Sequence, residues 1–178
     1  MSAPDAIDAL AQRVALLEAE GAVRRTVARY FAICDALGPD TDLAELGDLF
    51  TADAVWEGGG RYRKAFGTHD GRAAIVAMLG SYCGPPAHFA LNAHFLASEA
   101  IEVTGDQAVG RWRMLQTSTY ADGRSDLRSA ELTIHLYVDG GRWRIARFNT
   151  QNIFSRHVGP WNDEAAISVP PSPPGRAS

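Results

Sequence analysis

Cysteine is scarce in this sequence. Only Cys34 and Cys83 occur among 178 residues, far apart and outside any CxxC pair. Neither belongs to a cluster with metal-ligand spacing, so both are expected to be reduced and structural, with no metal and no cofactor bound. Long apolar runs are also missing, and nothing approaches the roughly 20 residues of a membrane-spanning helix. The start, MSAPDAIDAL, has neither a basic n-region nor an apolar h-region. A soluble cytoplasmic protein without a membrane partner is the expectation. A basic patch is lacking too: the formal charge is −4, the pI is near 5.7, and the arginines are spread along the chain. That removes nucleic acid as a partner. Gly58-Gly59-Gly60 lacks the GxxxxGK[ST] spacing of a phosphate loop, and no helix opens directly behind it. No internal repeat is present.

What the chain has is apolar content, at 46% hydrophobic residues, enough for one domain with a sizeable core. Residues 1–20 read as an N-terminal helical extension with Ile7, Leu10, Val14 and Leu17 in a short heptad-like stripe. Residues 21–160 read as the main domain, and the proline-rich 165–178 as a disordered tail.

Arg13 to Leu37 contains no proline, and Val23, Val27, Tyr30, Phe31, Cys34 and Leu37 recur at helical spacing. Tyr30 and Asp35 lie roughly 140° apart on that helix, one on each flank of the buried stripe, where both can border a cavity. Gly38-Pro39 ends the helix. Asp42 and Glu45 look like a capping pair for a second helix whose buried face is Leu43, Leu46, Leu49 and Phe50. Ala54–Glu57 reads as a strand, the triple glycine as a turn and Arg61–Phe66 as the return strand. Gly71–Tyr82 reads as a third helix, capped by Asp70.

From His88 the chain is β-rich, with turns at Thr104-Gly105-Asp106, Ala121-Asp122-Gly123 and Asp139-Gly140-Gly141. Helices followed by a meander of long antiparallel strands is an α+β order, and a strongly twisted sheet curling around three or four helices leaves a pocket on its concave side. Alternation turns Gly110, Trp112, Met114, Gln116 and Ser118 inward. In the next strand either Leu132, Ile134 and Leu136 or the polar row Glu131, Thr133, His135 and Tyr137 faces the pocket, and the polar row is the expected lining. His88, Asn92, His94 and Ser98 share one parity. The two imidazoles lie roughly 20 Å apart in an extended strand, too far for one metal ion without a sharp bend. Imidazole is nevertheless the side chain best suited to move a proton near neutral pH.

The order RY....D, LFTADAVW, HDGRAAI, H...S..IEVTGD and GRWRIARF, over roughly Leu17 to Phe154, resembles the SnoaL-like branch of the NTF2-like superfamily. The resemblance implies a cone-shaped, cystatin-like α+β barrel. It also implies a cofactor-independent dehydratase or isomerase acting on a hydrophobic cyclic hydroxy or carbonyl substrate, as in scytalone dehydratase, bile-acid 7α-dehydratase and ketosteroid isomerase-like proteins. A non-catalytic small subunit of a ring-hydroxylating dioxygenase, a small-molecule-binding protein and, further off, an epoxide hydrolase or cyclase are its alternatives. Carried over by position, the catalytic residues fall on Tyr30, Asp35 and His94, with His88 as the rival histidine. Trp56, His88, Phe89, Trp112, Met114 and Gln116 become the substrate-binding set. Ser98 stands where the family commonly has asparagine, and Phe148 where it often has arginine. The neighbouring Arg147 should face the opposite side of its strand. A homodimer or higher homo-oligomer is the implied assembly.

Overall fold

The computed structural model describes residues 3–159 and 161. Ten elements follow in order: α1 (Ala3–Asp35), α2 (Leu43–Asp48), β1 (Phe50–Gly59), α3 (Tyr62–Phe66), β2 (Thr68–Asp70), α4 (Arg72–Gly80), β3 (Phe89–Thr104), β4 (Gln107–Tyr120), β5 (Ser125–Asp139) and β6 (Arg142–Val158). The strands form one curved sheet in the order β2-β1-β6-β5-β4-β3, antiparallel except for the β1/β6 pair. The expected α+β architecture is therefore present. The proline-rich tail lies outside the described residues, and among those described no helix is long and apolar enough to cross a membrane.

The core is built by two apolar sets that meet. Val23, Val27, Tyr30, Phe31 and Cys34 on α1 are buried against the concave face of the sheet, where Leu132, Ile134, Leu136, Ile145 and Phe148 are almost fully enclosed. This overturns the expected polar lining from β5. The apolar row faces the helix because only it can bury area there, while Glu131 and Tyr137 lie on the outer side. Nothing interrupts α1 at residue 20; the helix is continuous from Ala3, and Ile7, Leu10, Val14 and Leu17 are exposed along its first half.

The second helix is capped as expected on its Asp42 side, whose Oδ1 accepts from the backbone amides of Ala44 and Glu45 at 2.9 Å. Glu45 does not close the capping box; its carboxylate takes the Arg29 guanidinium of α1 at 2.5 and 2.6 Å instead. The helix stops at Asp48, and Phe50 is already the first residue of β1.

Two expectations fail around β1. Arg61–Phe66 is the short helix α3 rather than a return strand, and the true return strand is β2, with Trp56 opposite His69. Tyr62 and Phe66 are four apart, a spacing that shares a face in either conformation. In the helix their rings meet edge to face at 5.0 Å, and Phe66 also meets the Trp56 indole at 5.8 Å. The glycines permit this fold-back, since a Cβ on Gly58 would lie 2.6 Å from the Tyr62 carbonyl oxygen. Asp70 does not cap α4 either. Gly71 holds the cap position at φ 86, and Asp70 is paired with Val55 in the sheet.

Gly58→Ala should therefore destabilise the fold by about 1–3 kcal/mol, because the atom it meets is backbone and cannot rotate away. Urea unfolding of the two proteins measures the difference, and an unchanged midpoint would contradict the close approach.

Candidate functional site

The last turn of α1 and the first half of β3 bring the expected residues together. Asp35, the final helical residue, accepts twice from His94: Oδ2 from the backbone amide at 3.2 Å and Oδ1 from ring Nδ1 at 2.5 Å. A carboxylate on Nδ1 keeps the proton there and leaves Nε2 as the basic nitrogen. The Phe31 ring packs on the imidazole at 4.9 Å and limits its rotation. Beside it, Asn92 donates to the Cys34 carbonyl at 3.0 Å and accepts from Gln116 at 2.9 Å and Ser118 at 2.8 Å, which joins α1, β3 and β4 in one polar knot.

These groups border a cavity of about 670 Å³ on the concave side of the sheet. Tyr30, His94, Trp56, Met114 and Gln116 line it, as do His88 and Phe89. Asp35 stands behind His94 instead of on the wall, and Trp112 is not on the wall either. The Trp112 indole lies over Gly110, whose absent Cβ would be 2.0 Å from the ring, and its Nε1 donates to Glu99 at 3.2 Å. Tyr30 Oη accepts from Trp56 Nε1 at 3.1 Å, and its own proton can go to the Cys34 sulfur or into the cavity. Phe148 stacks on Trp56 with ring planes 5° apart, so the wall here is aromatic. Arg147 does face the other way, held on the outside by Glu57 at 2.8 and 3.0 Å.

A family model described as the SnoaL-like domain matches residues 15–149. The chain belongs to the SnoaL-like family. Solved structures agree with that fold. An NTF2-like protein with a cystatin-like fold from Novosphingobium aromaticivorans is 26% identical, covering 81% of this chain and 88% of that one at a TM-score of 0.65. A candidate scytalone dehydratase from Novosphingobium aromaticivorans DSM 12444 is 20% identical, over 94% and 99% of the two chains, with a TM-score of 0.68. A hexachlorocyclohexane dehydrochlorinase, LinA type 2, is 18% identical over 92% and 99%, also at 0.68. None of the curated proteins matches this sequence.

In this SnoaL-like chain a second polar group borders the same cavity, and sequence reasoning missed it. Tyr120, Asp126, Arg128 and His157 form one network there. Asp126 is 6% exposed; its Oδ2 accepts from Tyr120 Oη at 2.9 Å and from Arg128 Nη2 at 2.5 Å, and its Oδ1 lies 2.5 Å from His157 Nδ1 in an ion contact. Arg128 also donates to Tyr120 Oη. Burial alone would raise the Asp126 pKa, but these donors and the guanidinium charge hold it below the ordinary carboxylate value. A signal for this network existed: the inward parity of Leu132, run back along β5, reaches Arg128 and Asp126. Taking the polar row of β5 as the lining pointed away from it. Among the described residues no group of three or more His, Cys, Asp and Glu is placed to hold a metal ion.

Burial keeps the middle of the wall uncharged. It pushes the Tyr30 phenol well above its ordinary pKa, with Cys34 adding to the rise. Burial likewise pushes the Cys34 thiol up to about 12, a hydrogen bond to Tyr30 opposing and the Asp35 charge reinforcing the shift. The consequence for stability has a definite sign. An unfolded thiol ionises near about 8.5, so between there and about 12 the folded state holds a proton that the unfolded state has lost. Stability is fully present below the unfolded value and should fall as pH rises through this window, on the order of 1 kcal/mol per pH unit for the thiol. Denaturant midpoints at pH 7 and pH 10 for the wild type and Cys34→Ala test this; the alkaline loss should be smaller in the variant.

Proposed function

We propose that this protein is a cofactor-independent lyase or isomerase that works by general acid and base catalysis on an apolar cyclic substrate bearing a hydroxyl and a carbonyl group. The observation that carries the reading is the 2.5 Å contact of Asp35 with His94 Nδ1, on an imidazole that lines the cavity beside the apolar and aromatic side chains of Phe31, Trp56, Met114 and Phe148. An imidazole oriented by a carboxylate is a competent base, and the carboxylate stabilises the imidazolium that forms. Nε2 of His94 takes the proton from the carbon next to the carbonyl, and the C–H electrons move into the enolate. Tyr30, kept protonated by burial, donates its O–H to the enolate oxygen as charge develops there. When the electrons return, the C–O bond of the β-hydroxyl breaks, and His94 delivers its proton to the departing oxygen as water. In an isomerisation the same proton returns to a different carbon.

Two of the similar structures are named for eliminations, a candidate scytalone dehydratase and a hexachlorocyclohexane dehydrochlorinase, and both names agree with this chemistry. A non-catalytic subunit or a binding protein would use the cavity as a container and leave the oriented imidazole without a task.

The test is turnover of cyclic β-hydroxy ketones, followed by the ultraviolet absorbance of the enone product, with exchange of the α-proton in heavy water as a second readout. His94→Ala should lower kcat by about 10²- to 10⁴-fold, and Asp35→Asn by about 10²-fold or more, since the imidazolium loses its counter-charge. Wild-type rates in both variants would sink the mechanism.

The assembly we infer is a homodimer through the outer face of the sheet. Phe95, 57% exposed, lies opposite Leu115, which is followed across the sheet by Ser129 and Phe154. Three exposed apolar side chains, Phe95, Leu115 and Phe154, in one row on the outer face are the kind of surface a second copy covers. Phe95→Arg should turn a dimer into a monomer in size-exclusion chromatography with light scattering, leaving the circular dichroism spectrum unchanged.

A further inference from the structure

The network around Arg128 is more than a way of neutralising Asp126. Arg128 Nη2 is engaged by Asp126 and Tyr120, and among the described residues its Nε and Nη1 have no partner. The guanidinium is thus anchored through one nitrogen and keeps donors on the other two. Each of those remaining N–H groups can give a charge-assisted hydrogen bond to an incoming oxyanion. Arg156 lines the same end of the cavity and makes no ion pair among the described residues. Two guanidinium charges against the single Asp126 carboxylate leave one positive charge in excess, in a protein whose formal charge is −4. His157 adds to that excess whenever it is protonated.

Strand register fixes where this end lies relative to the proposed proton-transfer group. His94 is paired with Gln116, and Gln116 with Arg128. Arg128 therefore sits on the same transverse row as His94, two strand spacings away, or roughly 10 Å between backbones. Between the two ends the row carries Gln116, flanked by the apolar wall of Met114, Leu132 and Phe148. Near Arg128 it is bordered by a collar of rings, in which Phe89 meets Tyr82 at 5.9 Å and Tyr120 at 5.6 Å.

We propose that this end of the cavity recognises an oxyanion on the substrate, a carboxylate or sulfonate-like head carried by the apolar body whose far side reaches His94. The proposal rests on the cavity being the substrate site, but its test does not depend on catalysis. Two fluorescent probes share one aromatic body and differ in charge: 8-anilinonaphthalene-1-sulfonate and the neutral N-phenyl-1-naphthylamine. Arg156→Gln alters an exposed side chain. The paired change Arg128→Gln with Asp126→Asn removes both partners, so that no buried carboxylate is left alone. Each variant should weaken the sulfonate probe about tenfold, the worth of one charge-assisted contact. Each should leave the neutral probe within about twofold of the wild type.

In His94→Ala the ratio of the two probes' affinities should stay that of the wild type even where both shift together, which keeps a failure of the catalytic reading apart from a failure of this one. Equal losses for the two probes, or no loss for the sulfonate in either variant, would overturn the proposal.

Discussion

The contact between Asp35 and His94 joins the end of a 33-residue helix to a strand at the margin of the sheet. β3 has one neighbour in the sheet, β4, so its other side depends on what α1 offers. Asp35 offers a carboxylate that takes both the backbone amide and the ring of His94, and the Cys34 carbonyl takes the Asn92 amide two residues earlier in β3. These bonds hold the strand against the helix end and keep the cavity between them at a fixed width. They also choose the imidazole tautomer. One interaction therefore closes the cone and sets the chemistry of its wall, so evolution cannot vary one property without disturbing the other.

The helices α1, α2 and α4, their order and the meander were legible because each rests on a local signal: spacing on α1, the Asp42 cap, the glycine pairs at the turns. Gly140 and Gly141 both have positive φ, as a tight hairpin demands. What strict alternation could not reveal were the bulges. In β3 the register shifts between Phe89 and Leu91 and again between Ala97 and Ala100. Phe89 and Asn92 thus both border the cavity despite opposite parity. After the second shift Ile101 and Val103 turn inward, and Glu99 reaches Arg24 of α1 and Trp112. Ser98 sits at that bulge with φ 53, a left-handed conformation that asparagine adopts more readily than serine. A third shift, between Ser129 and Ala130, brings Ser155 and His157 of β6 to the cavity after Phe148 and Thr150. Trp112 was misplaced for a different reason. Its inward direction is correct, but the ring folds over Gly110 and is spent on packing.

Two carboxylates serve this cavity, and their surroundings differ in a way that divides their work. Asp126 is nearly enclosed and receives hydrogen bonds or ion contacts from Tyr120, Arg128 and His157. Its Oδ2 is committed to two donors and its Oδ1 faces His157, which suits a fixed scaffold for a guanidinium. Asp35 receives both of its hydrogen bonds from a single residue, His94. No cation among the described residues competes for it. When His94 gains a proton, the full attraction of that carboxylate is still available to the new charge, in a wall where Tyr30 and Cys34 are kept neutral by burial. A carboxylate already satisfied by arginine would respond far less. The proposed division of work thus follows from partner count: the α1 end suits proton transfer, and the end where the guanidinium is anchored suits recognition.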